Sequence, residues 1–245
     1  MPAASLLHAR RLVLVTRPQP GAATTGRLVA GRLVAGRALV PVISPLLEVT
    51  AFAARLPVST AFQAVAATSG HAVAGLPAGL HGLPFFAVGD ATAARARAAG
   101  FAQVHSAGAD ARALAGLVGT RCPAGTRLLL ASGEGHGMAL AVALRCKGLL
   151  VVRRVVYAAR PVAVLPAAAA RALAGNDLRT AMFFSPATAR VFVCLLQAAR
   201  RDDDVTRVEA LAISSITAAA LAPLPWLRVR VASHPSQDEM LAMLP

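Results

Sequence analysis

Short unbroken apolar runs alternate along the chain with longer stretches in which apolar and polar positions mix at helical spacing. An unbroken run bounded by turn residues suits a strand buried on both faces, whereas the longer stretches suit helices with one buried face. RLVLVTRP starts as such a run, a helical stretch follows from about Ala22 to Ala35, and RALVPVI returns to a strand. FQAVAATSG, a short helix, PFFAVG, the Ala-rich stretch Ala91 to Ala99 and AQVHSAG come next. RLLLASGEG leads into a helix ending near Lys147-Gly148, with LLVVRRVVY behind it. TAMFFSP, a helix to about Arg201, EALAIS, a helix from about Thr217 and RVRVAS complete the series. Gly100 and Gly148 stand where helix carboxyl ends favour a residue that tolerates a left-handed backbone. The alternation predicts an α/β fold with parallel sheets.

The same alternation contains an internal repeat. The strand–helix–strand unit at 12–43 resembles 127–156, and the longer unit 63–106 resembles 180–233. VAATSGHA parallels MFFSPATA, and FAVGDATAARARAAG parallels LAISSITAAALAPLP. A short unit plus a long one supplies five strands, enough for one doubly wound sheet, so the count predicts two domains. Contiguous pairing would divide the chain near 110–125, and crossed pairing would join 1–43 to 161–245 around a central 48–155. The extended, Pro-bearing stretches VISPLLEVT and VVYAARPVA could run antiparallel as connectors in the crossed case.

Composition narrows the function class. The hydrophobic fraction, 56% of 245 residues, is enough for a sizeable core. No apolar stretch reaches the roughly 20 residues of a bilayer span. Leu149 to Ala174 is interrupted by Arg153, Arg154, Arg160, Arg171 and two prolines. MPAASLLHARR has its apolar and basic parts in the wrong order for a secretory signal. Cys122, Cys146 and Cys194 are scattered, which fits a reducing compartment and offers no zinc spacing. The net charge of +14 is almost all arginine, since Lys147 is the only lysine. That excess suits a polyanionic partner or simply solvated faces; its dispersal, with one Trp and one Tyr, argues against a nucleic-acid platform.

Four small polar motifs follow apolar strands: Thr68-Ser69-Gly70, Gly89-Asp90-Ala91-Thr92, Phe184-Ser185-Pro186 and Ser214-Ser215-Ile216-Thr217. Each stands where a strand's carboxyl end meets a helix's amino end, where free N–H groups and the helix dipole attract anions. Any one of them reads as an N-cap; four, two in each half of the repeat, point to a carboxylate- or phosphate-binding cleft between two domains. RLLLASGEG is neither a dinucleotide nor a phosphate-loop motif, and Glu134 would repel a phosphate. His8, His71, His81, His105, His136 and His234 lack metal-ligand spacing, and most of them read as surface residues. Asp202-Asp203-Asp204 reads as a solvated loop, and chemistry needing a strong nucleophile or a metal has no support.

LVLVTRP, ATSGHAV, FFAVGDATA, VVRRVVYAARP, FFSPATA and AISSITAAAL, in this order over nearly the whole chain, resemble the uroporphyrinogen-III synthase family. The resemblance implies two flavodoxin-like parallel-sheet domains: 1–43 plus 161–245, and 48–155, with linker strands at 44–47 and 156–160. It implies a cytoplasmic cyclising lyase of haem biosynthesis, acting as a monomer on hydroxymethylbilane, whose pyrrole rings all carry carboxylates. No cofactor, metal, nucleic acid or membrane is expected. The reaction loses the terminal hydroxyl, passes through a spiro intermediate, inverts the last pyrrole and closes the macrocycle with release of water.

Tyr157, the only tyrosine, matches the family's tyrosine and is the expected catalytic residue. A phenol with a pKa of about 10 keeps its proton at neutral pH and can donate to a departing hydroxyl; the alternative is a strand tyrosine packing its ring. Ser69, Thr92, Ser185 and Thr217 match substrate-facing positions, and Arg17 is placed to meet a substrate carboxylate. The sequence departs from the family at ASGEGHGMAL, where Ser132 and Gly137 replace an Arg-bearing RGE…GR pattern, and at AISSIT, where Ser214 replaces a Gly-first loop. Two other readings stay open: a non-catalytic tetrapyrrole- or anion-binding protein of this fold, and a basic nucleic-acid-associated protein.

Overall fold

The computed structural model describes residues 11–34, 36–56 and 61–244. His8 and the N-terminal stretch read against a secretory signal lie outside them. The chain forms β1 (Arg11–Val15), α1 (Gly21–Ala30), β2 (Leu33–Val34), β3 (Arg37–Ile43), β4 (Leu47–Ala51) and β5 (Ala64–Ala67). Two 3-10 turns follow, Gly70–Gly75 and Ala78–Leu80, and then β6 (Phe85–Ala87), α2 (Asp90–Ala98), β7 (Val104–Ser106), α3 (Ala111–Arg121) and β8 (Arg127–Gly133). Next come α4 (Met138–Cys146), β9 (Leu150–Pro161), α5 (Ala167–Ala174), β10 (Leu178–Phe183) and α6 (Pro186–Ala198). A 3-10 turn, Asp202–Val205, precedes β11 (Glu209–Ala212), α7 (Ser215–Leu221), β12 (Arg228–Val231) and α8 (Gln237–Ala242).

The fold is mixed α/β and comprises two compact units, residues 1–48 with 160–245 and residues 49–159. The first unit's sheet has the order β12-β11-β10-β1-β3-β2, parallel except for β2. The second sheet has the order β4-β9-β8-β5-β6-β7, and β9, β8, β5, β6 and β7 are mutually parallel along it. Connecting strands were expected at 44–47 and 156–160; strand pairing instead covers Leu47–Ala51 and runs unbroken from Leu150 to Pro161. Among the described residues no helix is long and apolar enough to cross a membrane.

Strand side chains alternate between faces, and both faces of each sheet are apolar, as parallel sheets covered by helices require. In the first unit Leu14 and Phe183 pack on one face, and Val13 and Met182 on the other. Trp226 lies in that core with ring centroids 5.7 Å from both Phe183 and Phe192, so the single tryptophan is structural. In the second unit Leu129 and Phe85 face one way, and Leu128, Leu130 and Phe86 the other. Burying each such side chain contributes about 1.5–3 kcal/mol.

Three expectations need amendment. The first helix stops at Ala30 instead of running to about residue 35: Gly36, at φ +74°, turns the chain, and Leu33 pairs antiparallel with Ala38. The three aspartates form a 3-10 turn tied by Arg201 Nε to Asp204 Oδ2 at 2.6 Å, not a plain solvated loop. Three histidines pack on rings instead of facing only solvent: His71 on Tyr157, His81 on Phe101 and His105 on Phe86. Gly100 and Gly148 follow helix ends at φ +103° and +83°, the backbone that makes glycine favourable there.

Candidate active site

In the second unit the carboxyl end of β8 and the matching end of β9 are joined out of step. Ser132 pairs with Val155, but Gly133 pairs with Tyr157, so one extra residue of β9 is bulged out. A bulge cancels the alternation of side chains. Val156 and Tyr157 are consecutive, yet both are buried in the same cluster. Tyr157 is therefore turned towards the sheet face that also carries the Thr68-Ser69-Gly70 turn.

The Tyr157 ring is held closely. A Cβ on Gly133 would lie 2.5 Å from its Cζ and 2.7 Å from its hydroxyl oxygen, so only glycine leaves room for the ring. Its other neighbour is the His71 imidazole, tilted, at 5.7 Å between centroids. Tyr157 is 8% exposed, and its phenol makes no hydrogen bond among the described residues. Its edge borders a concavity of about 420 Å³ lined also by Thr68, Ala111, His136, Gly137 and Leu140. The phenol in that position can offer its hydrogen to a ligand oxygen without first giving up a partner among the described residues.

The other expected residues divide between the units. In the second, Ser69 Oγ accepts from His71 N at 3.3 Å and caps the 3-10 turn, while Thr92, in the first turn of α2, is buried. In the first unit, Ser185 Oγ accepts from Thr188 N at 3.2 Å and Ser214 Oγ accepts from Thr217 N at 3.3 Å. Thr217 is fully buried, with its hydroxyl 3.0 Å from Ser214 Oγ. The accessible hydroxyls at that turn are therefore those of Ser214, half-buried, and Ser215, exposed.

Arg17 is set firmly at the end of β1. Its Nη1 donates to Gln237 Oε1 at 2.9 Å and to Thr25 Oγ1 at 3.2 Å, and its guanidinium lies 4.4 Å over the Phe184 ring. Gly21 permits this, because a Cβ there would come within 2.6 Å of Arg17 Nε. Sequence reasoning placed Arg17 at the strand end but missed Gln237, 220 residues away. It also missed His71 and Gly133; the glycine after RLLLAS was the only available signal for the latter.

Comparison with known proteins identifies the chain. The family described as uroporphyrinogen-III synthase HemD matches it over residues 31–242. The chain belongs to the uroporphyrinogen-III synthase family. It is thus a cyclising lyase of tetrapyrrole biosynthesis. The crystal structure of uroporphyrinogen-III synthetase from Helicobacter pylori is 19% identical, with 96% of this chain and 97% of that one covered and a TM-score of 0.63, which shows a shared fold. A mutant uroporphyrinogen III synthase from Thermus thermophilus is 18% identical over 95% of this chain and 96% of that one, with a TM-score of 0.49. No curated protein matches the chain in sequence.

The synthase's departure at 132–137 has a local structural account. Gly137 has φ +83°, and a Cβ there would meet Ser132 Cβ at 2.8 Å, so the small residue at each position suits the other. Arg153, from β9, donates through Nη1 to Ser132 Oγ at 3.0 Å and to the His136 carbonyl at 2.8 Å. A guanidinium thus braces this turn, supplied by the neighbouring strand.

Proposed function

We propose that this synthase cyclises hydroxymethylbilane with Tyr157 as its proton donor. The observation that carries this reading is the orientation of Tyr157: a bulge turns it, Gly133 and His71 hold its ring, and its phenol has no hydrogen-bond partner among the described residues. As the terminal C–O bond breaks, the phenol gives its hydrogen to the departing oxygen, which leaves as water. The pyrrole nitrogen's electrons stabilise the carbocation left behind. That carbon is attacked by the substituted α-carbon of the last pyrrole to form the spiro intermediate. The bond from that α-carbon to its original bridging carbon then breaks, the pyrrole inverts and bonds to the bridging carbon through its other α-carbon, and the proton lost there restores the phenol. Most of the rate comes from holding a flexible substrate in one shape and placing charge correctly.

Arg17, Ser69 and Ser185 contact the substrate's carboxylates directly in this reading. Thr92 and Thr217 are buried, so they serve by shaping the turns whose N–H groups face the ligand. The two units act as flavodoxin-like domains joined by a two-stranded linker. The strand orders support this: in each sheet the first strand of the repeat has the second on one side and the other three on the other. The protein acts as a monomer in the cytoplasm on a small-molecule substrate, without cofactor, nucleic acid or membrane.

The test is Tyr157→Phe, assayed with freshly made hydroxymethylbilane and isomer analysis of the oxidised products. The variant should form the inverted isomer about 10²-fold more slowly where proton donation limits the rate. Unconverted bilane should close spontaneously to the non-inverted isomer. A variant with the wild-type rate and isomer ratio would leave Tyr157 a packing residue.

A further inference from the structure

Arg95 lies on the second turn of α2, and helix side chains lean back towards the amino end. Here that end meets the carboxyl edge of the sheet. The side chain crosses the Thr68-Ser69-Gly70 turn: a Cβ on Gly70 would collide with Arg95 Cδ and lie 3.0 Å from Nη1 and 3.1 Å from Nε. Arg95 is partly buried, and burial lowers its pKa. Among the described residues it makes no side-chain hydrogen bond or ion pair. Asp90, the acidic residue on its own helix, does not pair with it.

Other partly buried arginines near the carboxyl ends of strands are tied down. Arg17 donates to Gln237 at 2.9 Å, Arg153 to the His136 carbonyl at 2.8 Å and Arg154 to the Arg55 carbonyl at 3.0 Å. A partly desolvated guanidinium without such partners retains its donor fork for a planar anion, and a carboxylate satisfies it with two parallel hydrogen bonds. Ser69, whose hydroxyl caps the same turn, adds a polar neighbour.

We propose that Arg95, laid across Gly70 beside Ser69, anchors one carboxylate side chain of the tetrapyrrole. The assignment rests on the synthase reading and adds to it a binding residue in the second unit. Arg95 holds the substrate in place and takes no part in proton transfer.

Three variants test it: Arg95→Gln, Arg95→Lys and Gly70→Ala, the last of which keeps the charge but displaces the side chain. The readouts are the Kd for uroporphyrinogen III measured anaerobically, KM and kcat with hydroxymethylbilane, and the melting temperature. Arg95→Gln should raise Kd and KM about 10- to 100-fold, the worth of a charge-assisted hydrogen bond. Its kcat should stay within a few-fold and its melting temperature should not fall, because no hydrogen bond or ion pair among the described residues is lost. Arg95→Lys should recover part of the affinity, and Gly70→Ala should weaken binding like Arg95→Gln. Unchanged Kd and KM in Arg95→Gln would overturn the subsite. So would a lowered melting temperature with unchanged Kd, which would make Arg95 structural. If wild-type protein binds the product but forms no inverted isomer, the catalytic reading fails alone, and Kd still decides Arg95.

Discussion

The two halves of the repeat share a strand order, but the segment after the central strand differs between them. After β10 the chain makes a helix of 13 residues; after β5 it makes only the 3-10 turns at Gly70–Gly75 and Ala78–Leu80. The helix α6 has Ser185 as its cap, proline at its start, and Ala189, Phe192, Val193 and Leu196 on one buried face. The corresponding stretch in the second unit carries Gly70, Gly75, Gly79, Gly82 and Pro77, which stop a helix from propagating. Packing requires one of these glycines. A Cβ on Gly75 would strike the Phe52 carbonyl and lie 2.8 Å from Val156 Cβ and 2.9 Å from the Val156 carbonyl. The second unit has a thin cover of small residues where the first has a helix with large ones. That thin cover leaves room for β9 to bulge and for Tyr157 to pack beside His71.

The contrast can be broken most sharply at Gly133. Gly133→Ala puts a methyl group where the Tyr157 ring lies, so formation of the inverted isomer should slow about 10²-fold, as if the phenol were lost. Isomer analysis beside Tyr157→Phe checks this; full activity would mean that the ring position is immaterial. Gly75→Ala should come next, costing about 1–3 kcal/mol of stability, because backbone rather than a flexible side chain blocks the new methyl. Val191→Ala, the same distance past the capping serine in the first unit, should cost about 1 kcal/mol by loss of apolar contact. Urea unfolding of the pair measures the difference, and a reversed order would remove the packing explanation.

The capping serines give a smaller contrast. Ser185→Ala should lose about 1 kcal/mol, since it unties the first turn of a full helix. Ser69→Ala caps only a 3-10 turn, and its longer 3.3 Å bond should be worth less; thermal melts of both variants decide. The smallest effect is expected for the stability of Tyr157→Phe, which should stay within about 0.5 kcal/mol of wild type because the phenol bonds to no described residue. A larger loss would reveal a protein partner for that hydroxyl and weaken its reading as a free donor.

The local pattern was informative wherever neighbours along the chain set the structure. β1, β8 and β10 are built around the apolar runs LVLV, LLLA and AMF, and both faces of their sheets are buried, so their assignment needs no knowledge of partners. The caps at Ser69, Ser185 and Ser214 likewise depend on residues two or three positions away. Helical spacing continues past Ala30 and so predicts too long a first helix, whereas pairing of β2 with β3 and the turn at Gly36 end it.

The alternation of strand and helix, the parallel α/β class, the internal repeat and the position of each polar turn after its strand are legible in the chain's local pattern. All of these follow from short-range spacing of apolar residues, glycines and small polar residues. The neighbours that each side chain meets are set by the folded arrangement instead. The bulge that turns Tyr157 arises from pairing between β8 and β9, the bond from Arg17 to Gln237 joins residues 220 apart, and Arg95 meets Gly70 across two elements. Register between strands and contacts over long separations depend on how whole faces pack together, and no local window of sequence contains that information.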